Sequence, residues 1–179
     1  MTLLEMKKKT LQLIEEITDS TDLTNDVDIR AKLNSVINQV QFELARMKKI
    51  PAMQKLEIND TDVIDMNTLD NFYQLRLLRF EGAYEIVENL AVFNGNGEAT
   101  FYYYKYPEAI TDETPDDYVF ELSQDALEIM PYGVASDLLK SDVSTEYGAI
   151  YSQRYETMLQ RLDHRYSLGG ITIEGGVNV

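Results

Sequence analysis

The best guide to the architecture is FYYYKYPEAI at residues 101–110 and, beyond an acidic connector, FELSQDALEIMPYGVASDLLKSDVSTEYGAIYSQRYETMLQRL at residues 120–162. Aromatic and β-prone residues fill the first stretch, which predicts a strand. The second stretch has apolar residues at helical spacing in two blocks, which predicts two amphipathic helices. No reactive side chains cluster in either stretch, so together they indicate a unit built for packing.

Length and composition indicate a globular protein with a substantial core. The chain has 179 residues, of which 44% are hydrophobic, which favours one domain with room for a small subdomain. It has no cysteine, so it has no disulfide framework and no cysteine metal site. The first residues, MTLLEMKKKTLQ, lack the order of charge and hydrophobicity of a signal peptide. No apolar run is long enough to span a bilayer, and no membrane is expected as a partner.

The net charge of −15 is concentrated in one part of the chain. Residues 1–50 carry eight basic and eight acidic residues, whereas residues 51–179 carry eight basic and twenty-three acidic ones. Such an acidic surface repels nucleic-acid backbones and argues against electrostatic DNA binding. It remains compatible with a wall that DNA slides past, or simply with solubility.

Four helices are predicted around a strand-rich middle. The first spans about Leu3–Ile17 behind a Thr2–Glu5 capping box, and the second is capped by Asn25 or Asp26 and ends near Ile50. Ser123 begins the third, which contains Pro131 and should be kinked there. Asp142 caps the fourth, whose predicted apolar stripe consists of Tyr147, Ile150, Tyr151, Tyr155, Met158 and Leu162.

The middle of the chain has the composition of strands and turns. Asn94-Gly95-Asn96-Gly97 is a tight-turn sequence, which predicts a hairpin with arms near Tyr84–Val92 and Glu98–Tyr104. The fold class expected from these patterns is mainly α with a β insertion. Its parts are a four-helix bundle from residues 1–50 and 118–165, a small β-rich subdomain at residues 51–117 between the second and third helices, and an extended C-terminal arm at residues 166–179.

Catalytic motifs are scarce, and no catalytic, cofactor-binding or metal-binding residue is assigned. The single histidine, His164, is expected in a loop after the last helix. Glu81, Glu85 and Glu88 would share one face if their segment were helical, as in all-α magnesium-dependent nucleotide pyrophosphatases. A solvated surface explains these carboxylates with fewer assumptions, and the pyrophosphatase stays as the alternative function.

Four tyrosines are candidates for an interaction surface. Tyr102, Tyr104 and Tyr106 alternate along the predicted strand, and Tyr84 lies on the other predicted hairpin arm. Alternating tyrosines favour a partner or inter-subunit surface on one face of the strand. Base stacking is a less favoured reading because Lys105 is the only basic residue beside them in sequence.

The C-terminal segment resembles a strand without a local partner. Ile171 and Ile173 would point the same way in a strand, and glycine pairs flank them. Such an arm is suited to pairing with a sheet edge of another chain. The residues assigned to it are Ser167, Leu168, Gly169, Gly170, Ile171, Thr172, Ile173 and Glu174.

The order of these segments resembles the head-to-tail adaptor (connector) proteins of tailed bacteriophages, most closely the podovirus type known as tail tubular protein A. The likeness covers about residues 1–165. It is carried by the tyrosine strand ending at Tyr106-Pro107, by Met130-Pro131-Tyr132 in the third helix, and by Tyr147, Tyr151 and Tyr155 in the fourth.

The resemblance implies a structural virion protein of the phage neck, assembled in the host cytoplasm. Such adaptors form a homo-oligomeric, dodecameric ring between the portal protein and a tail or nozzle protein, and DNA passes through without sequence-specific binding. Their helical bundles pack side by side and their β part faces the tail. The arm at Ser167–Glu174 would bind the portal, and Tyr102, Tyr104, Tyr106 and Tyr84 would face the tail or a neighbouring subunit.

Overall fold

A computed structural model describes residues 1–19, 23–140 and 146–164. The helices in these ranges are α1 (Leu3–Leu13), α2 (Val27–Met47), α3 (Gln124–Leu139) and α4 (Glu146–His164). The strands are β1 (Ile50–Ile58), β2 (Val63–Asp65), β3 (Phe72–Arg79), β4 (Ala83–Val87), β5 (Leu90–Asn94) and β6 (Gly97–Lys105). A short 3-10 helix, Met66–Thr68, follows β2.

The strands form two antiparallel sheets of three strands each. The first sheet has the order β1-β6-β3 and the second has the order β2-β5-β4. β6 is therefore the centre of the first sheet, and β5 is the centre of the second. Apolar residues from both sheets form one core, in which the Phe93 ring lies 6.2 Å from the Phe101 ring. The two sheets thus face each other across this core as a two-layer unit, hereafter the β unit.

The helices have a separate core. α3 packs against each of the other three helices, and its buried residues include Met130, Pro131 and Val134. Leu3 and Met6 of α1 and Ile37 and Leu44 of α2 are buried in the same cluster. Pro131 lies within α3 and is buried.

The expected fold class is wrong. The chain is not a mainly-α four-helix bundle with a small insertion, because the helices flank a central β-rich region of two sheets. The error arose because the strands that complete each sheet are far apart in sequence. β1 pairs with β6 along its full length, from Ile50 opposite Lys105 to Ile58 opposite Gly97. Alternation within one segment cannot reveal a partner that lies between 39 and 55 residues away.

The predicted hairpin is also wrong, although the turn that suggested it is present. Gly95 and Gly97 have φ values of +130° and +147°, which side chains other than glycine rarely adopt. The turn joins β5 to β6, but these strands belong to different sheets. β5 pairs instead with β4, and the turn between these two strands is at Glu88-Asn89. The Asn94–Gly97 turn therefore connects one sheet of the β unit to the other.

Helix starts are predicted better than helix ends. The Thr2–Glu5 capping box is present, and the Asp26 side chain accepts hydrogen bonds from Asp28 N and Ile29 N. α1 ends at Leu13 rather than near Ile17, and α2 ends at Met47 rather than near Ile50. Ile50 is already the first residue of β1, where its pairing with Lys105 replaces helical hydrogen bonds.

The predicted stripe of α4 is only partly buried. Tyr155 and Leu162 lie in the helical core, and Met158 packs against it. Tyr147 and Ile150 are exposed instead. The predicted cap of this helix, Asp142, and the predicted arm at residues 166–179 lie outside the described residues.

Candidate functional site

The central strand of the first sheet presents tyrosines on its outer side because successive side chains from Phe101 to Tyr104 point to opposite faces of β6. Phe101 and Tyr103 point into the core of the β unit and are buried. Tyr102 and Tyr104, each one residue along, lie on the opposite face and are half-buried. The sequence prediction that these two tyrosines share an open face is consistent with this register.

Apolar side chains of the neighbouring strands extend this surface. Met53 of β1 and Leu77 of β3 lie on either side of Tyr102 in the sheet. They are 56% and 44% exposed, which is high for side chains of this size. We call the surface formed by Met53, Leu77, Tyr102 and Tyr104 the tyrosine face.

Basic residues border the tyrosine face, and sequence proximity did not reveal them. The Lys49 ammonium lies 5.0 Å from the centre of the Tyr104 ring, and the Arg79 guanidinium lies 5.4 Å from that of Tyr102. Lys105, the basic neighbour in sequence, points to the other side of the sheet and pairs with Glu121. The pairing of distant strands, rather than adjacency in the chain, therefore determines the charge around these tyrosines.

Lys55 adds a neutralised pair at the far end of this face. Its Nζ donates to Glu98 Oε1 at 2.7 Å, across the β1–β6 pair. The hydrogen bond that Lys55 donates to Glu98, followed by the negative charge of Glu98, raises the pKa of Lys55. Beside the tyrosines, Lys49 donates to the neutral Gln74 Oε1 at 2.8 Å, and neither Lys49 nor Arg79 forms an ion pair with an acidic residue in the described part of the chain.

The other two predicted tyrosines lie elsewhere. Tyr106 follows the end of β6 and packs against Phe42 of α2 and against Tyr73, at ring distances of 5.9 Å and 4.8 Å. The Tyr84 hydroxyl in β4 donates to Leu78 O at 3.2 Å, and its ring lies 6.2 Å from Phe93. Tyr106 thus helps join the β unit to α2, and Tyr84 belongs to the second sheet.

The second sheet has an exposed apolar outer face that the sequence analysis did not identify. In β5 the buried residues Ala91 and Phe93 alternate with the exposed residues Leu90 and Val92. Val63 of β2 lies opposite Val92, and Val87 of β4 lies opposite Leu90, so all four share one face. Their exposed fractions lie between 37% and 56%. We call Val63, Val87, Leu90 and Val92 the valine face.

The segments that build the second sheet are uniformly acidic. Residues 59–70 and 80–96 contain no lysine or arginine and seven acidic residues. Asp65 pairs with Leu90, and Glu85 pairs with Val92, so both flank the valine face directly. The signal in the sequence was the continuous apolar run Leu-Ala-Val-Phe at residues 90–93, which would place apolar side chains on both faces of a strand. The predicted long hairpin arm obscured it.

The two faces lie on opposite sides of the β unit. Its core, including Phe93 of the second sheet and Phe101 of the first, lies between the inner faces of the sheets. Each outer face is therefore turned away from that core. One side of the unit is aromatic, with Lys49 and Arg79 beside its rings and Lys55, Glu57 and Glu98 at its far end. The other side is aliphatic with an acidic border.

The carboxylates considered for a magnesium site are not arranged as the pyrophosphatase alternative requires. Glu85 lies in strand β4, and Glu88 lies in the turn after it with a φ of +56°. The helical face that Glu81, Glu85 and Glu88 would have shared therefore does not form. Among the described residues, no three acidic or histidine side chains come close enough to hold a metal ion together.

One polar cavity lies between α2, α3 and α4, with a volume of about 560 Å³. Tyr155 lies at its edge and donates to Glu43 Oε2 at 2.8 Å. Burial, followed by this hydrogen bond, raises the pKa of the Tyr155 hydroxyl. Arg46, Lys140, Asp137 and Glu156 also line the cavity, so its charges are mixed in sign.

The remaining expectations concern the C-terminal arm, His164 and membrane-spanning segments. The predicted portal-binding residues Ser167–Glu174 lie outside the described residues. His164 is the last residue of α4 rather than part of a loop. A bilayer-spanning helix, with the length and hydrophobicity that this requires, is not found in the described parts of the chain.

Comparison with known proteins identifies no relative of this chain. No protein-family model matches the sequence, and no curated protein matches it.

Proposed function

We propose that this chain is a structural virion protein, a head-to-tail adaptor that forms a ring between the portal and the tail of a bacteriophage. The observation that carries the proposal is the pair of exposed apolar faces on opposite sides of the β unit. A side chain that serves only solubility would be polar at these positions, and apolar surfaces of this kind favour protein partners. The kind of assembly, a ring of phage adaptors, is inferred from the resemblance over residues 1–165.

In this proposal the portal contact belongs to the C-terminal arm, Ser167–Val179. The arm follows α4 in sequence, and α4 is anchored in the core by Tyr155 and Leu162. Ile171 and Ile173 would supply side chains to one face of an added strand. The tail or nozzle protein would occupy surface on the β unit.

The acidic character of residues 51–179 suits a channel through which DNA moves. A wall of like charge does not retain the phosphate backbone, so DNA can pass without binding. The protein would then be located in the virion neck after assembly in the host cytoplasm.

The arm provides the direct test of the adaptor role. Deleting residues 167–179 should leave a folded protein that no longer binds the portal in a pull-down and electron-microscopy assay. Replacing Ile171 and Ile173 together by Asp should have the same effect. Thr172→Ala, whose side chain would lie on the opposite face of an added strand, should preserve binding.

Retained portal binding by both the deletion and the double variant would overturn the arm assignment. Turnover of a nucleoside triphosphate by the purified chain with Mg²⁺ would contradict the adaptor role itself, because it would require a catalytic site.

A further inference from the structure

We propose that neighbouring copies of this chain associate through the β unit, with the tyrosine face of one copy packed on the valine face of the next. This inference rests on the proposed ring and specifies its subunit contact. It differs from the side-by-side packing of helices that the family resemblance implies.

Exposed apolar area is the first argument. Met53 and Leu77 on one face, and the four residues of the valine face on the other, are each more than a third exposed. Sheets bury such faces by packing on another sheet at a separation of about 10 Å. Each copy offers two such faces. The inner faces of its own sheets form the shared core, except at β4, whose inward-facing Tyr84 and Ile86 are 42% and 41% exposed.

Charge complementarity identifies a second copy as the occupant. A chain with a net charge of −15 repels its own copies in most orientations. The tyrosine face differs locally, because Lys49 and Arg79 lie over its rings, whereas its acids Glu57 and Glu98 lie at the far end of the face beside Lys55. The valine face is flanked by Asp65 and Glu85 in a sheet whose segments lack any basic residue. Joining unlike faces therefore brings opposite charges together, whereas joining like faces does not.

The arrangement of the faces determines the kind of assembly. A contact between two different surfaces is heterologous, so each copy keeps one free face after binding a neighbour. Because the faces lie on opposite sides of the core that contains Phe93 and Phe101, addition of copies can continue in one direction. Such a contact forms a ring when its rotation closes.

Engineered cysteines test the contact without interference, since the chain has no cysteine of its own. One variant carries Leu77→Cys on the tyrosine face and another carries Val92→Cys on the valine face. Both are treated at high protein concentration with a short bis-maleimide and separated on a denaturing gel. The mixture should give a cross-linked dimer, each variant alone should stay monomeric on the gel, and the double variant should give a ladder.

A cross-link formed by either single variant alone would overturn the proposal, because it would show like faces in contact. A mixture without cross-links would also overturn it, and the two faces would then be binding surfaces for a different protein. Far-UV circular dichroism of each variant checks folding, which exposed positions should preserve.

A second measurement uses charge and a matched control. Leu77→Asp and Val92→Asp should each raise the dissociation constant for self-association at least about tenfold in sedimentation velocity. Ile150→Asp on α4, a position that is 53% exposed but lies outside both faces, should leave the constant unchanged. Equal weakening by all three variants would refute the assignment.

The outcomes separate this contact from the adaptor role. If portal-bound rings form normally from Leu77→Asp and Val92→Asp, the proposed contact is wrong and the adaptor role stands. If the wild-type chain forms the predicted cross-links but never binds a portal, the contact stands and the adaptor role fails.

Discussion

At the scale of single residues, the closest packing in the helical core depends on Gly133. A Cβ atom at this position of α3 would lie 2.8 Å from Tyr155 Cε2 and 3.0 Å from Val40 Cγ1. The glycine therefore lets α3 approach α4 and α2 at once. Tyr155 cannot easily move away, because its ring is buried and its hydroxyl is bonded to Glu43.

Gly133→Ala should lower the free energy of unfolding by about 1–3 kcal/mol, the usual cost of overpacking, although alanine favours a helix by about 1 kcal/mol. Urea denaturation followed by circular dichroism measures the change. Gly148→Ala on α4 is the control, because its new Cβ would meet one side chain, Leu139, at 3.3 Å. Its expected change is smaller than about 1 kcal/mol, and a larger loss there than at Gly133 would contradict this account.

At the scale of elements, helix starts differ in how well they are capped. Asp26 Oδ1 accepts from Asp28 N at 2.8 Å and from Ile29 N at 3.0 Å, which satisfies two amides at the start of α2. Ser123 occupies the same position before α3, but its side chain makes no capping hydrogen bond. A sequence pattern treats the two residues as equivalent, and the structure distinguishes them.

Asp26→Ala should therefore cost about 1 kcal/mol of stability, whereas Ser123→Ala should cost less than about 0.5 kcal/mol. Chemical denaturation of the two variants beside the wild type provides the comparison. Equal losses would show that the hydroxyl of Ser123 contributes to α3 in a way that the geometry does not indicate.

At the scale of the whole molecule, the dominant feature is the excess of negative charge. The second sheet has acidic residues in its segments and no basic residue to pair with them. Surface pairs such as Lys55–Glu98 and Lys7–Asp116 offset only part of this repulsion. Self-repulsion of this kind destabilises a compact state and is screened by salt.

Raising NaCl from ~0.02 M to ~0.5 M should therefore raise the melting temperature by a few degrees, since a gain of about 1 kcal/mol corresponds to about 2–4 °C at this chain length. Differential scanning calorimetry measures the shift, and sucrose at matched osmolality controls for solute effects. An unchanged or lower melting temperature would indicate that attractive surface pairs outweigh the repulsion.

Local patterns were sufficient for the features that neighbouring residues control. The Thr2–Glu5 box, the Asp26 cap and the alternation that puts Tyr102 and Tyr104 on one side of β6 all act within a few residues. Only the tertiary structure decided that β1 pairs with β6 and that the Asn94–Gly97 turn connects two different sheets. It also decided that Lys49 and Arg79 lie over the tyrosine rings. The physical reason is that capping and side-chain alternation are local interactions, whereas strand partners are selected by the burial of a shared core across distant segments.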